Sequence, residues 1–355
     1  MQKARSVRLN KRESVVHFLV LLVGFMSAAM LLLWLKSTVA NALSPSLPTR
    51  LQDSITLTLS IVVEALPFVI LGALVSVVIR LFATTQRLIQ LLPKRPLLRR
   101  LAVSLCGTFM PVCECGNMPV ARGLMVRGLS VAESITFLLA APIVNPVTLL
   151  TTSQAFRLDP SMVWIRLVGA LLIANLVGSL LALYKDQTGL VSKGFYNTLC
   201  EVEAADHHRH HGDHHHDHHH HASRWQEGIT IFRDEVSLML KMLCLGAVIA
   251  GLTQVFVPRD VLTSLGGHPI FSILAMITLA FVISICSNVD AFFALAYSNT
   301  FTAGSLAAFL VFGPLIDIKM LALMRTTYKA WLLAAMTFLV TLSSILIGLV
   351  VNYAL

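Results

Sequence analysis

Cys113-Glu114-Cys115 places two thiols and a carboxylate in three consecutive residues, and this is the part of the chain best equipped for chemistry. Thiolates select soft or borderline metal ions and metalloids. A carboxylate between them can balance the charge of a cation or carry a proton. In an intact helix, residues two apart point about 200° from each other. Both sulfurs can therefore meet one ligand only where the backbone is extended or unwound. Pro111, Gly116 and Pro119 give a helix reasons to break here. The stretch from Leu101 to Met125 is thus expected not to be a straight helix, and Cys113 and Cys115 are expected to act jointly. Reading the cysteines as small buried hydrophobes leaves Glu114 unexplained.

Further polar groups sit inside apolar runs, where a charge costs about 2.5–3.5 kcal/mol on insertion scales and marks function by default. Glu64, Asp290 and Asp317 are such carboxylates, and Lys319 lies close enough to pair with Asp317. Asn117 and Asn145 demand partners. Between Pro142 and Pro146, Asn145 suits a backbone cap at a kink as well as it suits ligand contact. The candidate substrate-binding set is therefore Cys113, Glu114, Cys115, Asn117, Asn145, Glu64, Asp290 and Asp317, with Cys113 and Cys115 as metal-meeting thiols. The methionines are read as packing residues.

The elements that position these residues follow from composition. Of 355 residues, 56% are hydrophobic and 13% charged, against about 25% charged in globular domains. Apolar runs long enough for a bilayer, about 20 residues, recur near Val15–Leu35, Ser54–Phe82, Val131–Thr152, Met162–Tyr184, Val236–Val257, Ile270–Tyr297, Ala303–Met324 and Trp331–Tyr353. The expected fold is all-α: a polytopic helical membrane protein of about 8–9 transmembrane or re-entrant segments. The first run is too long for a typical signal core, so a retained helix is expected despite the peptidase-like Ala40-Asn41-Ala42. The net charge of +9 reads as a topology signal rather than a nucleic-acid surface. The lipid bilayer is the partner that composition implies, with room for a membrane partner protein or a homo-oligomer.

The chain reads as two repeated halves. Phe109–Asn117 resembles Phe281–Asp290, and Ala141-Pro142-Ile143-Val144-Asn145-Pro146 resembles Gly313-Pro314-Leu315-Ile316-Asp317-Ile318, in the same order. Interrupted apolar segments at matching places in two halves point to a transport site. The implied division is 1–50 (basic segment and first helix), 51–184 (first half), 185–227 (polar loop) and 228–355 (second half). If the two irregular segments dip in and return, the basic stretches at the N-terminus, Arg87–Arg100, Arg122, Arg127, the polar loop and Lys319–Lys329 share the cytoplasmic side, as the positive-inside bias prefers.

The polar loop holds eleven of the thirteen histidines: His207, His208, His210, His211, His214, His215, His216, His218, His219, His220 and His221. Such a tract has no apolar residues to bury, and its imidazoles suit weak capture of Zn, Cu or Ni. It is expected to be dispensable for basal function.

The C-x-C-x3-P pattern from Cys113 to Pro119 and the A-P-I-V-N-P pattern from Ala141 to Pro146 resemble the predicted permeases of the bacterial arsenical-permease type, from about Leu51 onward. The resemblance implies a multi-pass inner-membrane protein in which Cys113 and Cys115 meet a soft substrate. Arsenical-exporting members tend to have a small residue between the two cysteines. Glu114 departs from that and leaves a metal cation open. No Walker A motif is present. The expectation is a permease, not an enzyme, without a cofactor. It would export a thiophilic solute or metal ion such as zinc, copper or a trivalent arsenical. Two other readings are a membrane thiol redox protein using Cys113 and Cys115, and a metal-sensing scaffold.

Overall fold

The computed structural model describes residues 49–82, 90, 92–109, 113–157, 159–200, 224–256 and 268–354. The expected first helix, the His207–His221 tract, and Met110, Pro111 and Val112 lie outside them. The described residues fold into helices: α1 (Thr49–Phe82), α2 (Pro96–Leu105), α3 (Glu114–Val126), α4 (Val131–Val144), α5 (Pro146–Ala155), α6 (Ser161–Ala182), α7 (Arg224–Phe256), α8 (Pro269–Ile283), α9 (Asp290–Ala296), α10 (Ala303–Phe312), α11 (Ile318–Met324) and α12 (Ala330–Ala354). A short helix at 193–200 precedes the polar loop.

Among the described residues, four stretches are long and apolar enough to cross a bilayer: Arg50–Phe82, Ser161–Ala182, Gly228–Val255 and Ala330–Ala354. The run read as one helix over Val131–Thr152 is instead two, α4 and α5, bent by 42° at Asn145 and together long enough for a fifth span. Pro146 removes a backbone donor there, and the Asn145 side chain accepts from Val147 N–H to start the next helix. In the second half, α10 and α11 are divided at 313–317, where Asp317 caps α11 through Met320 N–H.

Pairings at the helix ends fix the direction of each element. Arg80, near the end of α1, and Arg122, near the end of α3, both pair with Glu235 near the start of α7. Gly72 packs on Gly116 and Ser76 on Gly123, so α1 and α3 run parallel. Arg99, in α2, pairs with Glu133 in the first turn of α4, and Gly107 packs on Ala141 further along. Hence α2 enters beside the start of α4, and α3 returns to the same side. The α2–α3 unit is a re-entrant hairpin.

The second half repeats this from the opposite side. Ser272, in the first turn of α8, meets Thr302, the cap of α10. Ala280 lies beside Gly313, so α8 and α10 run parallel, and α9 must return to the side where α8 began. Asn352, at the end of α12, bonds the Pro269 carbonyl and the Gly304 N–H at that same side. Among the described residues the same order thus occurs twice, a long helix, a hairpin, a divided helix pair and a long helix, with the second set running opposite to the first.

The end of the bundle carrying Arg80 also carries Lys94, Arg95, Arg99, Arg100, Arg127, Arg325 and Lys329, whereas Arg50 and Arg157 lie toward the other. By the positive-inside rule the Arg80 end is cytoplasmic. Arg122 is not a loop charge, as its sequence position suggested. It is buried between Glu235, the Thr327 hydroxyl and the face of the Phe195 ring.

Candidate functional site

The two hairpin tips meet. Cys113 caps α3 with extended backbone (φ −71°, ψ 174°) after the helix breaks through a 3-10 turn at Cys106–Phe109. At the other tip, α8 ends on Ser284 in the left-handed region (φ 51°), and Cys286 precedes α9. A ligand atom from each of Cys113, Glu114 and Cys286 lies within 4.8 Å of the others, and all three residues are buried. The Cys113 sulfur lies against both Cys115 and Cys286.

Glu114 is the hub. One carboxylate oxygen lies 2.9 Å from the Lys319 ammonium, and the other accepts from the Ser287 hydroxyl at 3.1 Å. Lys319 also lies 3.4 Å from Asp317 and donates to the Ser284 carbonyl at 2.7 Å. Glu114 stands in the first turn of α3, where the helix dipole favours an anion.

A small cavity lined by Ile61, Glu64, Ala65, Cys113, Glu114, Cys115, Cys286 and Lys319 has room for about one water-sized guest. Its α1 residues fall near the middle of the 33-residue span Arg50–Phe82, the depth at which transporter sites of inverted repeats lie. Glu64 is exposed and borders this cavity.

The remaining candidates stand further out. Asp290 is held by Arg166 through two hydrogen bonds of 2.9 and 2.7 Å. The same guanidinium bonds the Ser287 carbonyl and the Thr152 hydroxyl, so this pair braces the turn that presents Cys286 and Ser287. Asn145 caps α5, and one turn on, the Thr148 hydroxyl donates to Asn288. Asn117 is fully buried, and its amide has no hydrogen-bond partner among the described residues.

Three groups in or behind the site stand outside the candidate set read from sequence. Lys319 meets Asp317 as its spacing suggested, but it also reaches Glu114, and Arg166 is buried against Asp290. The signal available was that each falls within an apolar run with a carboxylate elsewhere to meet it. Cys286 lies in the duplicated segment and lacks a C-x-C partner there, so the second half does not simply copy the first. The fold supplies its partner from the other half.

The family described as predicted permeases matches residues 50–353. The chain belongs to that family. Among relatives, the UPF0718 protein YcgR of Bacillus subtilis is 35% identical over 272 residues, covering 76% of this chain and 87% of its own. A Streptococcus mutans protein, provisionally named a two-component membrane permease complex subunit, is 32% identical over 286 residues, covering 80% and 89%. No solved structure matches the chain. This permease is accordingly a multi-pass protein of the bacterial cell membrane, and its inverted halves and mid-membrane cavity are features suited to transport.

Proposed function

We propose that the permease moves a small thiophilic cation, such as zinc or copper, outward across the inner membrane, with Cys113, Cys286 and Glu114 as its ligands and Cys115 beside them. The observation that carries this is the meeting of two thiols and a carboxylate at the touching tips of two opposed hairpins. Sulfur with one carboxylate suits a borderline or soft ion better than a hard one. A trivalent arsenical, which would take three thiols, is the alternative substrate; it would require Cys115 to join Cys113 and Cys286, which with Glu114 form the close set. The division into halves at 51–184 and 228–355, with the His tract as a weak metal-holding loop between them, belongs to the same proposal. So does a second membrane chain as partner, in keeping with the relative named as a complex subunit.

A sensitivity screen against zinc, copper, cadmium and trivalent arsenic tests this, with the gene deleted and then restored. Deletion should sensitise cells to at least one thiophilic ion, and restoration should reverse it. Unchanged tolerance to all of them, together with unchanged cellular metal content, would remove the substrate assignment and leave the permease fold without a thiophilic cargo.

A further inference from the structure

Lys319 stands where a bound cation would stand. Its ammonium is ringed by Glu114 Oε1, Asp317 Oδ2 and the Ser284 carbonyl. These come from the first-half hairpin, the break before α11 and the second-half hairpin, so the shell forms only when the two halves are assembled. Glu114 is also the carboxylate that completes the set with Cys113 and Cys286. One negative charge is thus shared between a tethered cation and the thiol site, and the cavity between them holds no more than a water-sized guest.

We propose that Lys319 is a built-in competing cation that keeps the empty site charge-compensated and sets its selectivity, so that a metal ion binds only by displacing the ammonium from Glu114. This rests on the thiophilic-cation reading above. The displaced side chain has somewhere to go: it lies 3.4 Å from Asp317, and its four-carbon stem is flexible. Displacement sacrifices the Glu114–Lys319 pairing, and only an ion that gains from sulfur can offset that loss. Magnesium or sodium, which gain little from thiols, are excluded by this competition rather than by size. A carrier that supplies its own cation also returns empty without an exchanged counter-ion.

The test uses the purified full chain in detergent with Co2+ as probe. The thiolate-to-cobalt charge-transfer band reports sulfur ligation and is silent to the His tract. Lys319→Gln removes the charge but keeps amide donors for Glu114 and the Ser284 carbonyl. It should bind Co2+ about tenfold tighter or more, because a like charge a few ångströms from the metal is gone. It should also let Mg2+ compete and slow Zn2+ release from loaded vesicles. Co2+ binding equal to or weaker than the parent's in a folded Lys319→Gln protein would overturn the proposal. Should that variant fail to fold, Asp317→Asn with Lys319→Gln removes both members of one ion pair, leaves the net charge of the cluster unchanged and keeps Glu114 as a ligand. It should also bind Co2+ tighter than the parent, and equal or weaker binding would overturn the proposal as well. The reading beneath is judged separately, by loss of the band in Cys113→Ser and Cys286→Ser. A band that persists there sinks the thiol site, whereas a band lost there with no Lys319 effect sinks only the competing-cation role.

Discussion

The carbonyls of Cys113 and Cys286 close the same pair of backbone hydrogen bonds. Cys113 O accepts from Gly116 at 3.1 Å and Asn117 at 3.3 Å, and Cys286 O accepts from Val289 at 3.0 Å and Asp290 at 3.2 Å. Each cysteine therefore begins a returning half-helix, and the two half-helices start against each other from opposite sides of the membrane. By this register Glu114 is the positional counterpart of Ser287, and Asn117 that of Asp290. Local geometry is duplicated while the charges are not, so one shared site results rather than two copies.

Two sulfurs on one guest should behave as a unit. Cys113→Ser or Cys286→Ser alone is expected to lower Zn2+ transport in vesicles about tenfold or more. The second substitution should add little, since coupled neighbours are non-additive. Cys115→Ser should have the smaller effect, because its sulfur is not in the tightest set. Parent-like transport in both the Cys113 and Cys286 variants, at matched membrane expression, would reduce the thiols to packing residues.

Arg166 and Asp290 form a buried pair of side chains. Removing one partner of such a pair typically costs about 3–5 kcal/mol because the other charge stays buried. Asp290→Asn and Arg166→Met should each lower the melting temperature in detergent, and the double variant should recover part of the loss. If each single variant melts with the parent, the pair is not what braces the Ser287 turn.

A methyl group at Gly72 would run into the Gly116 carbonyl oxygen. Nothing there is a flexible side-chain end, so backbone must move. Gly72→Ala is expected to destabilise by about 1–3 kcal/mol, in the range of overpacking, and to impair transport by displacing the α3 tip. Gly194, with nothing within 4 Å of its added carbon, is the matched control and should tolerate alanine.

The break at Cys113, the all-helical membrane fold and the duplicated order were legible in the sequence because proline, glycine and apolar length act locally. The bend at Asn145 was half legible, since prolines on both sides announce a kink but not its angle. What escaped was charge pairing across the two halves. Lys319 and Glu114 are 205 residues apart, and Arg166 and Asp290 are 124 apart. No local pattern says that a lysine two residues after an aspartate reaches a hairpin from the other half instead of the cytoplasm. Cys286 was missed for the same reason, because its partners come from another segment.

The His tract lies outside the described residues, and its expected role is peripheral. Deleting His207 to His221 should leave Zn2+ transport in vesicles within about twofold of the parent, because the close ligand set is supplied by Cys113, Glu114 and Cys286. Complete loss with normal expression would make the tract part of the pathway.

Opposed re-entrant hairpins make a topology prediction that crossing segments cannot share. If α2–α3 enters and leaves on one side, the residues flanking it label from that side alone, and the same holds for α8–α9 from the other. Lys94 and Arg127 flank the first hairpin; His268 and Asn299 flank the second. In a background with Cys106, Cys200 and Cys244 changed to alanine, since those thiols are exposed, single cysteines are placed at the four positions. Intact cells are then treated with a membrane-impermeant maleimide. His268→Cys and Asn299→Cys should label without lysis. Lys94→Cys and Arg127→Cys should label only after the membrane is opened. Were either segment to cross fully, its two flanks would split between the conditions. The site would then no longer sit where two tips meet, because one of the two half-helix starts would face away from the other. Agreement of all four positions also orients the carrier, placing the Arg80–Glu235–Arg122 cluster on the cytoplasmic side of the site and the Ser272–Thr302 end outside.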